Sequence, residues 1–276
     1  MPRPLVAAVL QLSSTPDRAR NLTRTMELVN EAAAAGAELI LTPENTDQIA
    51  PRDVRLAAAE PLEGPFVGAL RDRARWLGRW LLIGSFAEKI AASARVHNTS
   101  VLIDPRGDIA AVYRKIHLFD ADLPDGTSHR ESEAVEPGRD AVTADTPAGK
   151  LGLSVCYDLR FPELYRLLAA RGATLFAVPS AFTEPTGRAH WEVLLRARAI
   201  ENLGYVLAPA QVGEHFPGRR SYGHALVVDP WGRVLADAGE ASDGFVLATL
   251  DPALVERSRA MLPALSHGRL PGGVSS

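Results

Sequence analysis

The spacing of apolar and polar residues predicts strands and helices in a regular order at the start of the chain. Residues 5–12 form an apolar run typical of a strand, residues 16–35 carry apolar side chains at helical spacing, and residues 38–44 form a second buried strand. A strand, a helix and a strand in this order indicate helices packed on the face of a sheet.

The middle of the chain predicts another helix and then a meander of strands. The helix is expected over residues 64–78. Three strands are expected over residues 80–88, 97–104 and 109–117. Residues 118–137, which follow, are polar, rich in Pro and Gly, and too long for an idle connection in a compact domain. We expect them to form a loop that shapes a site, and the sequence leaves open whether this loop closes over a ligand.

The second half repeats the theme of strands alternating with helices. Strands are expected over residues 149–159, 173–181, 205–211, 224–232 and 244–251, and helices over 161–172 and 188–203. The two halves together predict an α/β fold: a four-layer α-β-β-α sandwich of two stacked mixed sheets with outer helices. We expect one domain over residues 1–276, with a core from about 4 to 262 and a loose tail over 263–276.

Composition narrows the partners of the protein. The chain has 276 residues, of which 46% are hydrophobic and 23% charged, so it can bury a sizeable core. A net charge of -3 supplies no basic field for a nucleic-acid backbone. The first residues lack the features of a signal peptide, and no apolar run reaches the roughly 18 residues of a membrane span. We expect a cytoplasmic protein that binds a small molecule, and neither nucleic acid nor a membrane.

Cys156 is the single cysteine, which excludes an internal disulfide and a zinc site built from several thiolates. By itself such a residue is usually a small buried hydrophobe. Glu44, Lys115 and Cys156, however, all stand at the carboxyl ends of predicted strands, and such ends can converge on a crevice. A thiol with a free pKa of about 8.5 needs a base or a positive field to become a nucleophile, and Glu44 and Lys115 would supply one of each.

Three motifs resemble the carbon-nitrogen hydrolases, also called the nitrilase superfamily. They are LTPEN around Glu44, YRKIHLFD around Lys115 and SVCYDLRFPELYR around Cys156. The resemblance implies that Glu44 is the general base and that Cys156 attacks an amide carbon to form a thioester, releasing ammonia. It also implies that Lys115 and the backbone N–H of Tyr157 stabilise the oxyanion, with no cofactor and no metal.

The same resemblance implies a second glutamate, in the loop after the lysine, that keeps Lys115 charged and oriented. Glu131 fits this position best, and Glu133 is the competitor.

The family resemblance also implies a substrate end of the site formed by Arg160, Phe182 and Thr186. A guanidinium there could hold a carboxylate in a bidentate manner. Arg160 could equally be a buried ion-pair partner of Asp158 or Glu163, and the sequence leaves these two roles open.

Segments 179–202 and 221–232 resemble the branch of the family that acts on deaminated glutathione and on omega-amides, whereas residues 44–50, ENTDQIA, depart from its usual aromatic-containing segment. Deaminated glutathione is the expected substrate, and alpha-ketoglutaramate is the alternative. A nitrilase, an N-carbamoyl hydrolase and a catalytically silent scaffold remain further alternatives. The resemblance implies a homodimer or a higher homo-oligomer.

A cysteine-histidine protease is a looser alternative, since the sequence also contains His97, His117 and His224. A zinc-protease motif is absent, because Leu194 stands where a second histidine should follow His190.

Overall fold

The computed structural model describes residues 2–123, 126–240 and 242–269. The strands are β1 (Leu5–Leu12), β2 (Leu39–Leu41), β3 (Trp80–Lys89), β4 (Val96–Ile103), β5 (Ile109–Arg114), β6 (Asp120–Asp122), β7 (Ser128–Arg130), β8 (Thr143–Thr146), β9 (Gly149–Leu153), β10 (Leu175–Ala177), β11 (Tyr205–Ala208), β12 (Ala210–Phe216), β13 (Arg219–Tyr222), β14 (Leu226–Val228), β15 (Val234–Asp237) and β16 (Gly244–Leu250). The helices are α1 (Arg18–Ala34), α2 (Arg52–Ala57), α3 (Pro65–Leu77), α4 (Pro162–Ala170), α5 (Glu184–Asn202) and α6 (Pro252–Met261). Short 3-10 turns cover Glu131–Glu133, Cys156–Arg160 and Ala264–His267.

The first sheet contains the predicted β-α-β opening and the central meander. Strands β1, β2 and β3 are parallel, with Ala7 opposite Leu39 and Leu39 opposite Trp80. Strands β4 and β5 continue this sheet as an antiparallel meander. On the other side of β1 lie β16, which is antiparallel to it, and β12, which pairs with its last residues.

The second sheet has the strand order β15-β14-β11-β10-β9-β8. Its centre is parallel, because β10 pairs in parallel with both β9 and β11. Antiparallel strands flank this centre on both sides. Parallel strands buried on both faces need cover from helices, and the chain supplies it.

The side chains of β1 show how the layers are stacked. Successive residues of a strand point to opposite faces, so Val9 joins the core between the two sheets and Leu10 joins the core under α1 and α3. On the far side, Leu168 of α4 and Trp191 of α5 are buried against the second sheet. The expected four-layer α-β-β-α sandwich is therefore the observed architecture.

Several predicted strands are shorter than expected because prolines interrupt them. Residues 205–211 were predicted as one strand, but the chain leaves the second sheet at Pro209 and enters the first as β12. Proline has no N–H to donate to a ladder, and the Pro209 carbonyl instead accepts a bond from the Ser180 N–H at 3.0 Å. The predicted strand over 173–181 is likewise reduced to β10, with Pro179 just beyond it.

The remaining differences lie in short or terminal elements. The sequence did not predict strands β8, β13 and β15, helices α2 and α6 or the β6–β7 hairpin. Helix α5 starts at Glu184 rather than at residue 188. The hairpin lies inside the predicted 118–137 loop. Of the expected loose tail, residues 264–267 form a 3-10 turn, and residues 270–276 lie outside the described residues.

Candidate active site

The two sheets bring three strand ends to one crevice. Glu44 follows β2, and Lys115 follows β5 in the same sheet. These two strands point the same way, because β3 is parallel to β2 while β4 and β5 each reverse direction. Cys156 follows β9 of the second sheet. The carboxyl ends of strands from both sheets therefore meet at the edge of the sandwich.

Glu44 contacts both Lys115 and Cys156. The Lys115 ammonium donates a hydrogen bond to Oε1 of Glu44 at 2.9 Å, and the Cys156 thiol is hydrogen-bonded to the same carboxyl group. The backbone N–H of Ala181 donates to Oε2 of Glu44 at 3.0 Å. The side chains of Glu44 and Lys115 are 5% and 2% exposed, so water screens this contact very little.

The charges around the thiol set its resting state. Burial would raise the pKa of Glu44, but the Lys115 ammonium and the hydrogen bonds from Lys115 and Cys156 hold this pKa below its usual value. Burial would lower the pKa of Lys115, yet the charges of Glu131 and Glu44 raise it. Burial and then the negative charge of Glu44 raise the pKa of the Cys156 thiol, against the lowering effect of Lys115. At neutral pH the resting site holds a carboxylate, an ammonium and a neutral thiol.

Glu131, rather than Glu133, is the second carboxylate on Lys115. The ammonium donates to Oε2 of Glu131 at 2.8 Å and to Oε1 at 3.1 Å. The backbone N–H of Phe119 donates to Oε2 of the same carboxylate at 2.7 Å, which fixes the loop to the site. Glu133 instead forms an exposed ion pair with Arg52 at 2.5 Å.

Asn98 is a site residue that the sequence reasoning missed. It lies on β4, is buried, and its Nδ2 donates to Oε1 of Glu44 at 2.9 Å and to Oε1 of Glu131 at 3.2 Å. Its carbonyl accepts a bond from the Lys115 N–H at 2.9 Å. No distinct signal marks it in the sequence, because Asn98 stands among the polar residues His97, Thr99 and Ser100. One side chain thus bridges the two carboxylates on either side of the ammonium.

The backbone of the loop that carries Cys156 is strained at this residue. Cys156 has a φ of 50°, in the left-handed region, which costs a residue with a side chain roughly 1 to 3 kcal/mol. Its N–H donates to the Pro179 carbonyl at 3.0 Å. The buried Asp158 accepts a bond from the Val155 N–H at 2.8 Å. These bonds hold the strained residue at the start of a 3-10 turn.

Asp158 also ties the cysteine loop to the segment that carries the lysine. The Tyr113 hydroxyl donates to Oδ2 of Asp158 at 2.7 Å, and the backbone N–H of His117 donates to Oδ1 at 3.0 Å. The Nδ1 atom of His117 lies 2.7 Å from Oδ1, and the imidazole stacks on Phe161 with ring centroids 3.7 Å apart. One buried carboxylate therefore fixes Cys156 relative to Lys115.

A cavity of about 580 Å³ opens onto these groups. Its walls include Glu44, Lys115, Glu131 and Cys156. The loop expected to shape a site does contribute to the wall, through Phe119 and residues 127–131. This volume lies within the range of about 300 to 1,000 Å³ that small-molecule sites usually have.

The other predicted site residues lie beside this cavity and do not line it. The Arg160 guanidinium carbon lies 5.4 Å from the ring centroid of Phe182 and 5.8 Å from that of Tyr157. Among the ion pairs of the described residues, none joins Arg160 to Asp158 or Glu163. Thr186 is buried at the start of α5, with its hydroxyl 2.8 Å from that of Thr183. Tyr157 follows Cys156 in the 3-10 turn, and its ring packs on Phe119.

The described parts of the chain also bear on the alternative functions. No group of three or more His, Cys, Asp or Glu side chains there is arranged to hold a metal ion. The hydrogen bonds of His97, His117 and His224 lead to Glu136, Asp158 and Asp237. Within residues 2–123, 126–240 and 242–269, no helix is long and apolar enough to cross a membrane.

Comparisons with known proteins place this geometry in a family. The family model described as carbon-nitrogen hydrolase matches residues 6–260. The chain is 42% identical over 268 residues to a deaminated glutathione amidase of Synechocystis, covering 96% of this chain and 98% of that protein. It is 46% identical over 272 residues to a deaminated glutathione amidase of Homo sapiens, covering 96% and 82% of the two chains. The crystal structure of the C. elegans NitFhit protein is similar, with a TM-score of 0.90 and 40% identity over 97% of this chain and 66% of that one.

Proposed function

The chain belongs to the carbon-nitrogen hydrolase family, and on that premise we propose that it is an amidase in which Glu44, Lys115 and Cys156 are the catalytic residues. Its substrate is a small linear amide that bears a carboxylate, and deaminated glutathione is the specific substrate we propose. The observation that carries the proposal is the Glu44 carboxylate, which contacts both the Lys115 ammonium and the Cys156 thiol at the wall of one cavity.

The first half of the reaction forms a thioester. The Cys156 thiol gives its proton to Glu44 while the sulfur attacks the amide carbon, so that a C–S bond forms and the carbonyl oxygen becomes an oxyanion. The Lys115 ammonium and the Tyr157 backbone N–H stabilise this oxyanion. When the intermediate collapses, the C–N bond breaks, Glu44 gives its proton to the nitrogen, and the amine leaves.

The second half hydrolyses the thioester. Glu44 takes a proton from a water molecule, whose oxygen attacks the thioester carbon. The second tetrahedral intermediate breaks its C–S bond, and the sulfur regains a proton from Glu44. The products are a carboxylic acid and the free enzyme, and neither half needs a cofactor or a metal ion.

Glu131 and Asn98 are positioning residues in this proposal. Two carboxylates beside one ammonium keep Lys115 charged throughout, and the Asn98 amide keeps both carboxylates oriented toward it. Arg160, Phe182 and Thr186 remain the proposed substrate-binding residues that the family resemblance implies.

The nitrogen product distinguishes the candidate substrates. Deaminated glutathione contains no primary amide, so its cleavage releases an amine. Ammonia, the product expected from the sequence, would instead come from a primary amide such as alpha-ketoglutaramate. Relatives 42% and 46% identical that are named deaminated glutathione amidase favour the first substrate.

The test is a panel of substrates with both nitrogen products measured. The wild-type protein should release 2-oxoglutarate and an amine from deaminated glutathione with a higher kcat/KM than it releases ammonia from alpha-ketoglutaramate, and Cys156→Ala should do neither. The reverse order would make it an omega-amidase, and turnover of nitriles or N-carbamoyl compounds alone would reassign the class. A protein that hydrolyses none of them would be a silent scaffold.

Three wider proposals complete the function. We propose that residues 1–276 form a single domain, that the protein acts in the cytoplasm, and that it assembles as a homodimer or a higher homo-oligomer. Exposed apolar side chains on α4 and α5 support the assembly.

A further inference from the structure

Two of the four arginines that line the catalytic cavity form no ion pair within the described residues. Arg52 and Arg130 form ion pairs with Glu133 and Asp122. Arg55 and Arg219 have no carboxylate within ion-pair distance among the residues that the structure describes. The charges of Asp47 and Glu44 act on Arg55 from beyond ion-pair distance. Those of Glu44 and Glu131 act on Arg219 in the same way. Each guanidinium therefore keeps room for direct contact with an anion from outside.

Arg55 and Gln48 both line the cavity, and both hold buried polar atoms without a partner among the described residues. The Nε and Nη2 atoms of Arg55 are buried and have no hydrogen-bond partner within the described ranges. Gln48 is 1% exposed, lines the same cavity, and leaves both its Oε1 and its Nε2 unbonded there. Buried polar groups nearly always have partners, because leaving one unbonded costs free energy. Both residues lie in or just after the segment, 44–50, whose sequence departs from the usual family pattern.

Arg219 lies close to the catalytic groups on another strand. Its Nη2 donates to the Ala181 carbonyl at 3.1 Å, and the Ala181 N–H donates to Glu44 at 3.0 Å. Its other hydrogen bond goes to the Arg220 carbonyl at 3.3 Å. Burial lowers the pKa of Arg219, and the negative charges of Glu44 and Glu131 oppose this shift. A guanidinium remains a cation in such surroundings, and backbone carbonyls do not cancel its charge.

We propose that Gln48 and Arg55 form one carboxylate subsite and that Arg219 forms a second, so that the cavity selects dianionic amides. This inference rests on the proposed amidase function and deepens it by assigning the charge of the substrate. Arginine is suited to this task because its planar fork binds a carboxylate through two parallel hydrogen bonds. The amide nitrogen of Gln48 can add a third donor at the first subsite.

The charge count separates the two candidate substrates. Deaminated glutathione carries a carboxylate at each end and has lost the only ammonium of glutathione, so both subsites would be filled. Alpha-ketoglutaramate has a single carboxylate and would fill one of them. The preference for deaminated glutathione then follows from the two subsites in the cavity wall, independently of Glu44, Lys115 and Cys156.

The test compares kcat/KM on a dianionic, a monoanionic and a neutral amide: deaminated glutathione, alpha-ketoglutaramate and butyramide. Arg55→Met and Arg219→Met should each lower kcat/KM for deaminated glutathione by about tenfold to hundredfold, the usual value of a hydrogen bond to a charged group. The loss should appear mainly in KM. Only one of the two variants should lower kcat/KM for alpha-ketoglutaramate to a similar extent, and the loss on butyramide should be the smallest of the three in both variants. Gln48→Leu should lower kcat/KM for the same substrates as Arg55→Met, by a smaller factor.

Arg220→Met is the matched control, since this neighbour on β13 already pairs with Glu184 at 3.0 Å. It should leave all three substrates unchanged. If Arg55→Met and Arg219→Met lowered kcat/KM equally for the charged and the neutral amides, these two arginines would act only on the fold. That result would overturn the proposal.

A binding measurement separates this inference from the proposed function. The Cys156→Ala protein should bind deaminated glutathione more tightly than alpha-ketoglutaramate in calorimetry, and Arg55→Met or Arg219→Met in that background should remove the difference. If the wild-type protein hydrolysed nothing but this pattern persisted, the amidase proposal would fail while the two subsites stood. Equal binding of both compounds would reject the subsites even in an active amidase.

Discussion

At the scale of single residues, Glu44 has two effects on Cys156 that act in opposite directions. As a carboxylate beside the thiol, it disfavours a second negative charge and raises the pKa of Cys156. As a base within hydrogen-bonding distance, it can take the thiol proton at the moment of attack. In the proposed reaction the resting thiol therefore stays protonated, and it becomes a nucleophile only when Glu44 accepts its proton.

This opposition predicts that Glu44→Gln lowers the pKa of Cys156 while it abolishes turnover. Removing a neighbouring negative charge, with Lys115 left in place, should lower the thiol pKa. Losing the general base should lower kcat by about a hundredfold to ten-thousandfold. Because Cys156 is the single cysteine, its thiolate absorbance can be titrated directly against a Cys156→Ser blank.

Glu133→Gln serves as the control for this titration, since Glu133 is a surface carboxylate paired with Arg52. It should change neither the thiol pKa nor kcat. A thiol pKa that stays constant or rises in Glu44→Gln would show that Glu44 does not control the ionisation of Cys156.

At the scale of elements, Glu44 is held by the close approach of β3 to the turn after β2. A Cβ atom added to Gly84 of β3 would lie 2.0 Å from the Thr42 carbonyl oxygen and 2.3 Å from that of Pro43. No rotation of a side chain can relieve a clash between backbone atoms. The position of the Glu44 carboxylate therefore depends on a residue that has no side chain.

Gly84→Ala is accordingly expected to damage both stability and activity. The clash should lower the free energy of unfolding by at least about 1 to 3 kcal/mol, the usual cost of overpacking. It should also reduce kcat, because the turn that moves carries Glu44. Urea denaturation and steady-state kinetics on the same preparation measure the two effects.

Gly68→Ala is the matched control, because a Cβ at Gly68 in α3 meets no atom within 4 Å. Alanine is the better helix former, so this variant should gain roughly 0.5 to 1 kcal/mol and keep full activity. Equal behaviour of the two variants would mean that the contact between β3 and the turn does not position Glu44.

The elements also show what the sequence could and could not predict. Alternation and helical spacing predicted the sandwich, because Val9 and Leu10 face different cores and both must be apolar. The same signal could not predict the change of sheet at Pro209, since residues on both sides of it are equally apolar and buried. Nor could it choose Glu131 over Glu133, because the choice depends on how the 118–137 loop folds back onto Lys115.

Asn98 was missed for a related reason. It reaches Glu44 and Glu131 only because β4 lies beside both β3 and β5. The sequence of a single segment does not show which strands will lie beside it in the sheet. The charged residues and the cysteine at the ends of strands could thus be predicted from the motifs. The residues that orient them depend on contacts between distant segments.

At the scale of the whole molecule, one outer layer of the sandwich carries exposed apolar side chains. Val193 and Ile200, two turns apart on α5, are 69% and 46% exposed, and Leu167 of the neighbouring α4 is 42% exposed. Trp231, close by in the turn after β14, is 47% exposed. Exposed apolar side chains grouped on one layer of a folded chain are typical of an interface.

If this layer forms the proposed homodimer interface, Val193→Glu with Ile200→Glu should dissociate it. Burying unpaired carboxylates in an interface costs about 2 to 5 kcal/mol, enough to convert a dimer to monomers at micromolar concentration. Analytical ultracentrifugation of the wild type and the variant measures the change. Trp76→Glu is the control, because this residue is 74% exposed on α3, in the opposite outer layer. If Trp76→Glu alone dissociated the dimer, the interface would lie on the helices of the first sheet. If the wild type were a monomer, no second copy would cover the α4–α5 surface.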